Sequence, residues 1–424
     1  MAAIRARRAA ASWEKAREKA FIVNHEAAFR ASATVQFKSG FCRLNVPHPA
    51  DRPHIWNTPT PPDTRSLALT PSMCGTNPAS ISFLSVINLD TVTGLTFIVA
   101  RHTILDIHAH MERAISAAPM AAKWSDSQDG LIWQYVPLPP GERLVGLGVQ
   151  KKTREGPLVD DPCYLVSSHS HTMIRWFSDW LIRRFDDFVD SRIRWFRLRM
   201  RLAGDITIGR SQENQGTTFA FIDGQPSIHT IVYDSDSASG FFMTLYCHQK
   251  SLPPTAVIDS DITPWSDFTD IPDSCGVLAS YASLLEICRI PVFEDPSKRA
   301  RNKPGRTCCR GLLFEYENGA QRSLGHCRLH VDPVRTYERP QVICFGRTLY
   351  MKGLPWPELR AWERTRIACS EDVDHTHDPQ DGEWRCFTLI GKLGYWVRYR
   401  LWGDYYWVDD NPPYRVVNEG SVCR

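Results

Sequence analysis

A membrane-spanning helix needs about 20 consecutive apolar residues, and this sequence offers none. Its most apolar window, 81–100, is broken by Asn88, Asp90 and several threonines. The N-terminus lacks the apolar core of a secretory signal, and Glu14 and Glu18 are out of place in an Arg-rich transit peptide. Charge of one sign is equally scarce: 50 basic residues against 47 acidic ones leave +3. That is too little to make a nucleic acid the expected partner. The 13 cysteines are odd in number and follow no framework spacing, which excludes a disulfide-stapled secreted scaffold and predicts mostly free thiols. Together these absences predict a cytoplasmic or nuclear chain with no transmembrane segment. The sequence also contains no nucleophile elbow and no Gly-rich phosphate loop.

What is present is enough apolar residue for real cores. Hydrophobic residues make up 43% of 424 and charged residues 23%, which is globular composition and long enough for two or three domains. Residues 1–40 read as an N-terminal helical arm, rich in Ala, Arg, Glu and Lys through about residue 33. The turn-rich stretch Pro47–Pro62 follows it. From Ser80 onward, short runs alternate apolar and polar residues between turn signals, the period of β-strands. We place a first β module at 41–170, a helix plus a weaker β repeat closing it at 171–260, and a second β module at 261–424. The helix, His171–Leu202, is expected from Trp176, Phe177, Trp180, Leu181, Phe185, Phe188 and Val189 at helical spacing.

Two segments match each other, one starting at Gly94 and ending at His110, the other starting at Gly311 and ending at Cys327. In each, three large residues at alternate positions (Leu95, Phe97, Val99; Leu312, Phe314, Tyr316) would line one face of a strand. Asn318-Gly319 supplies a tight hairpin turn tolerant of positive φ at both positions, and Leu324-Gly325 closes the second copy. A weaker third copy is Phe196–Gly209, turning at Ala203-Gly204-Asp205. A hairpin repeat covers only part of a core and needs neighbours to close it.

An Ile-rich strand, Gly-Leu-x-Phe-x-Tyr, an Asn-Gly turn and a closing Leu-Gly resemble the hairpin unit of β-prism proteins, the jacalin-related lectins, and a group of fungal proteins with similar phrases. The resemblance implies a prism of hairpins and a sugar site built on Gly-x-x-x-Asp, whose aspartate accepts hydrogen bonds from hydroxyls. The best-matching segment here, Gly141 to Val145, ends in a valine, which cannot accept them.

Four sets of residues suggest chemistry. Asp106, His108 and His110, at alternate positions of an apolar strand, resemble the first metal motif of amidohydrolases; two imidazoles on one strand face can share a divalent ion. That reading requires a parallel α/β barrel, whereas the sequence shows no regular alternation of strands with amphipathic helices. Cys308, Cys309, Cys327, His326 and His330 carry zinc-ligand residue types, but adjacent cysteines in extended chain point apart. Residues 372–383 put Asp372, Asp374, Thr376, Gln380 and Glu383 at calcium-loop positions, with His377 where glycine is required; an exposed acidic loop fits better. Finally, Trp396, Arg398 and Arg400 alternate with Tyr395, Val397 and Tyr399, a pattern of a ligand platform or of a core strand.

The sequence therefore predicts a mainly β protein with helical additions, built of tandem β-prism-like or related antiparallel modules. It predicts a non-enzymatic binding or scaffold protein whose partner is an unknown protein or glycan, which calls for no cofactor. Trp396, Arg398 and Arg400 are the candidate ligand-binding residues. The alternative is a metal-dependent hydrolase using Asp106, His108 and His110. The oligomeric state is not legible.

Overall fold

The computed structural model describes residues 55–62, 83–100, 103–111, 116–122, 131–152, 193–209, 217–236, 241–248, 277–295, 307–346, 366–377, 384–398 and 403–409, with short strand pieces at 21–22, 34–38, 41–45, 67–69, 256–257, 362–363 and 414–415. The chain is mainly β and its sheets are overwhelmingly antiparallel. The strands used below are β1 (Gly94–Ala100), β2 (Thr103–His110), β3 (Ile132–Pro137), β4 (Leu144–Lys152), β5 (Ile193–Met200), β6 (Gly204–Gly209), β7 (Ile287–Asp295), β8 (Cys308–Tyr316), β9 (Gln321–Gly325), β10 (Val334–Glu338), β11 (Val342–Gly346), β12 (Arg366–Ser370), β13 (Trp384–Thr388) and β14 (Lys392–Arg398). Among the described residues no helix is long and apolar enough to cross a membrane.

Both matched segments fold as hairpins. In the first, β1 lies between β2 and β3; in the second, β8 lies between β9 and β7, with β10 at the edge. Leu95, Phe97 and Val99, like Leu312 and Phe314, are buried in one continuous apolar cluster, and Tyr316 packs against it. The cluster also takes in Leu147, Leu198 and Ile208 from the β4–β5–β6 sheet and Ile343, Phe345 and Phe387 from the β12–β11–β13 sheet. Burying each such side chain contributes roughly 2 kcal/mol, so this shared core is the main source of stability.

The two hairpins are closed differently. Gly94 faces His110, while Gly311 faces Gly325. The turn of the second is also tighter in a different way from the expected pair of positive-φ residues. Only Gly319 has positive φ, at 81°. Its amide bonds to the Tyr316 carbonyl at 2.9 Å, the Tyr316 amide bonds to the Ala320 carbonyl at 3.0 Å, and the Asn318 side chain accepts from Ala320 N at 2.8 Å. These bonds and the left-handed glycine are those of a three-residue hairpin connection.

The third matched segment is also a hairpin, β5 with β6, joined through 201–203 and entered at Gly204 with φ 72°. The expected helix over 171–202 is thus replaced by a strand at its end. Leu198 and Met200 are buried while Arg197 and Arg199 alternate with them, and period 2 decides the element there. The rest of that stretch lies outside the described residues, as does most of the proposed 1–40 helical arm, whose described pieces are strands: Phe21–Ile22 pairs with Ile55–Trp56 and Thr34–Lys38 with Phe41–Asn45.

The hairpins are tied together across the core. His326 and Gln134 form a bridge between the sheet of β3 and that of β9, and Ser323 Oγ donates to the Tyr135 carbonyl. Gln134 accepts from Gly209 N at 2.9 Å. Arg322 donates to the carbonyls of Ala203 and Asp205 while stacking over Tyr281.

Candidate functional site

The Asp106/His108/His110 motif lies on β2, an edge strand of a three-stranded antiparallel sheet. Strand alternation brings the two imidazoles to one side, ring centroids 4.7 Å apart. His110 is 2% exposed, and its Nε2 lies 2.7 Å from Thr96 Oγ1. Burial first, then the neighbouring His108 and His330, push its pKa down to about 4, so it is neutral at ordinary pH. The Asp106 carboxylate accepts from Ile107 N at 3.0 Å. Among the described residues these side chains are not gathered with other donors into a ligand set.

Nor are the cysteines and histidines of 308–330. Cys309 Sγ donates to the Gly311 carbonyl and Cys327 Sγ to that of Leu312, while His326 Nδ1 accepts from Trp133 N at 3.3 Å. Cys327 is fully buried and its thiol is pushed well up, chiefly by burial. Trp396 and Arg398 lie in β14, which Leu393 and Tyr395 fasten into the core; Arg400 falls outside the described residues.

The lectin-like segment is occupied structurally. Gly141, with φ 90°, makes the turn into β4, and the next residue, Glu142, is a buried carboxylate. It accepts from the amides of Arg143, Leu202 and Ala203, each at 2.9 Å. A side chain of one turn therefore holds the β5–β6 turn of another.

Among the described residues, one group of three or more His, Cys, Asp or Glu side chains brings its donor atoms together: Cys344, His375, His377 and Cys386. Antiparallel pairing of β11 with β13 places Cys344 directly opposite Cys386. On these strands Ile343, Phe345 and Phe387 face the shared core, so Val342, Cys344, Trp384 and Cys386 form the opposite face, a separate small cluster with Ala368 of β12. The chain leaving β12 at Ser370 runs back over that face. It is the segment that resembled a calcium loop. Its Asp372 and Asp374 are exposed, as an acidic loop requires, but His375 and His377 turn inward.

The geometry is close. Cys344 Sγ is 3.0 Å from His375 Nε2, which is 3.1 Å from His377 Nε2 and 3.3 Å from Cys386 Sγ; His377 Nε2 is 3.3 Å from Cys386 Sγ. His377 stacks on Trp384, centroids 4.3 Å apart and planes within 7°. Arg366 covers the same indole at 4.8 Å. The Cys386 thiol is pushed far up, first by its hydrogen bond with the Cys344 thiol and then by burial, since two thiolates repel one another without a cation between them. Two soft sulfurs and two imidazole nitrogens are donors suited to a divalent transition metal. Cys344 and Cys386 were not singled out by the sequence. The signal that was there is His375-x-His377 flanked by single cysteines, without the Cys-x-x-Cys spacing that marks most such sites.

No known protein family matches the sequence, and no curated protein matches it.

Proposed function

We propose that this chain is a non-enzymatic binding or scaffold protein whose ligand is a protein or a glycan. One observation carries the reading: the single convergence of metal-ligating side chains among the described residues is made of four protein donors, leaving no position for a substrate or an activated water. The strand bearing Asp106, His108 and His110 supports it as well. An edge strand of an antiparallel sheet differs from the barrel strand that amidohydrolase chemistry needs, and His110 is engaged with Thr96. A glycan bound by the lectin mechanism is disfavoured, since Val145 offers no acceptor and Glu142 is spent on backbone amides. Trp396, Arg398 and Arg400 are the residues we propose for contact with the ligand.

The test is a panel of amide, ester and cyclic-amide substrates with the purified chain and a His108→Ala/His110→Ala variant, with the metal content of both. The reading expects no turnover and equal metal in both proteins. Turnover, or a metal equivalent lost with those two histidines, overturns it in favour of the hydrolase.

A further inference from the structure

We propose that Cys344, His375, His377 and Cys386 hold one structural zinc ion, which fastens the 371–377 loop onto the outer face of the β12–β11–β13 sheet.

The donor separations carry the assignment. A tetrahedral zinc with Zn–S of ~2.3 Å and Zn–N of ~2.0–2.1 Å has edges of ~3.3 Å between nitrogens, ~3.5 Å between nitrogen and sulfur and ~3.8 Å between sulfurs. Four of the six donor–donor edges run from 3.0 to 3.3 Å. All four donor atoms lie within 4.8 Å of one another. Opening those four edges by up to about half an ångström, while the other two pairs settle from within 4.8 Å to tetrahedral separation, admits the ion.

The surroundings orient the donors as a zinc site requires. His375 Nδ1 donates to the Val373 carbonyl at 3.0 Å, which fixes the tautomer and leaves the Nε2 lone pair directed at the sulfurs. His377 is held by its stack on Trp384. Both cysteines are buried, 0% and 1% exposed. Two thiolates and a dication sum to zero, so the filled site buries no net charge, and the fixed tetrahedral S2N2 set selects zinc over harder cations such as magnesium and calcium.

The loop supplies the reason for the site. Glu371, Asp372, Val373, Asp374 and Thr376 are all exposed, so this segment buries little apolar surface of its own. What it places against the sheet is its two histidines. The ion converts that pair of contacts into four bonds linking the loop with two strands.

The proposal shares its four donors with the binding-protein reading, yet the two can fail apart, because a hydrolase metal at Asp106, His108 and His110 would not displace this zinc. The test is the metal content of the full chain expressed with zinc in the medium, followed by cobalt exchange. We expect one zinc per chain, and a cobalt form showing thiolate charge-transfer and tetrahedral ligand-field absorption. Cys344→Ser and His377→Ala variants should drop to below about a tenth of an equivalent, while His108→Ala/His110→Ala keeps its full equivalent. Because a ligand variant can misfold, the cobalt spectrum of the unmutated chain is the independent readout. A folded chain without zinc, one that holds iron or copper at these residues instead, a cobalt spectrum without thiolate charge transfer, or a Cys344→Ser variant retaining full zinc would each overturn the proposal. Loss of metal in the His108/His110 variant alone would overturn the functional reading and leave the zinc site standing.

Discussion

Replacing Glu142 by alanine removes the common acceptor of three backbone amides, those of Arg143, Leu202 and Ala203. A buried N–H left without a partner costs about 1–3 kcal/mol. Leu202 and Ala203 are only half-buried, so water reaches part of the vacated space and the lower end of that range applies. Three amides then cost about 3 kcal/mol in total. With a urea slope of about 2 kcal/mol per molar, the midpoint falls by roughly 1.5 M. Glutamine should be milder. Its one carbonyl oxygen, seated where Oε1 accepts from both Arg143 and Leu202, keeps two of the three bonds, while its amino group meets the Ala203 N–H as donor against donor. Urea titration by tryptophan fluorescence, with circular dichroism as the second probe, measures the series. An alanine variant within about 0.5 kcal/mol of the parent, the range of an inert surface substitution, would refute the idea that this carboxylate holds the β5–β6 turn.

Acid should weaken the fold from the ordinary histidine range downward. Burial holds His326 at about 3 and His110 at about 4, both below the ordinary 6.5. The unfolded chain therefore binds protons that the folded chain refuses, and stability, constant above pH 6.5, falls as pH drops from there toward those values, by up to about 1.4 kcal/mol per pH unit for each group. A His110→Gln variant should lose its share of that slope in chemical denaturation between pH 6.5 and 4.5. Gly311→Ala should disrupt the second hairpin, since a Cβ there would meet the His326 carbonyl carbon at 2.7 Å and its oxygen at 2.8 Å; both are backbone, and a loss of at least about 2 kcal/mol in the same titration is expected. Gly346→Ala would press on the Trp384 ring at 3.0 Å. Through the His377 stack it should weaken zinc binding by about tenfold in chelator competition, without removing a ligand.

The β class, the three hairpins and their inward faces were legible because period-2 alternation is local and burial obeys it: Leu95, Phe97 and Val99 read the same in sequence and in structure. Where two periods compete, the sequence supported both a helix and a hairpin. Arg197 to Met200 fits a helical stripe as part of a longer aromatic segment, but pairing with β4 on one side and β6 on the other fixes it as a strand. The metal centre was illegible for a related reason. Sequence reading weights donors that are near one another, which drew attention to Cys308-Cys309 and His326. In extended chain such neighbours point to opposite faces, and they found separate partners.

Cys344 and Cys386 meet only through register, a nonlocal property set by the apolar residues around them: Ile343 pairs with Phe387 on the core side, and that pairing obliges the next residues, the two cysteines, to face each other on the other side. A sheet with one face in a shared core leaves its second face to be covered by whatever chain is near. Here that chain is a short acidic loop with too few apolar residues to do it by burial. The core therefore dictates the register, the register assembles two thiols, and the loop needs only His375 and His377 at alternate positions to complete a ligand set that substitutes coordination for hydrophobic cover.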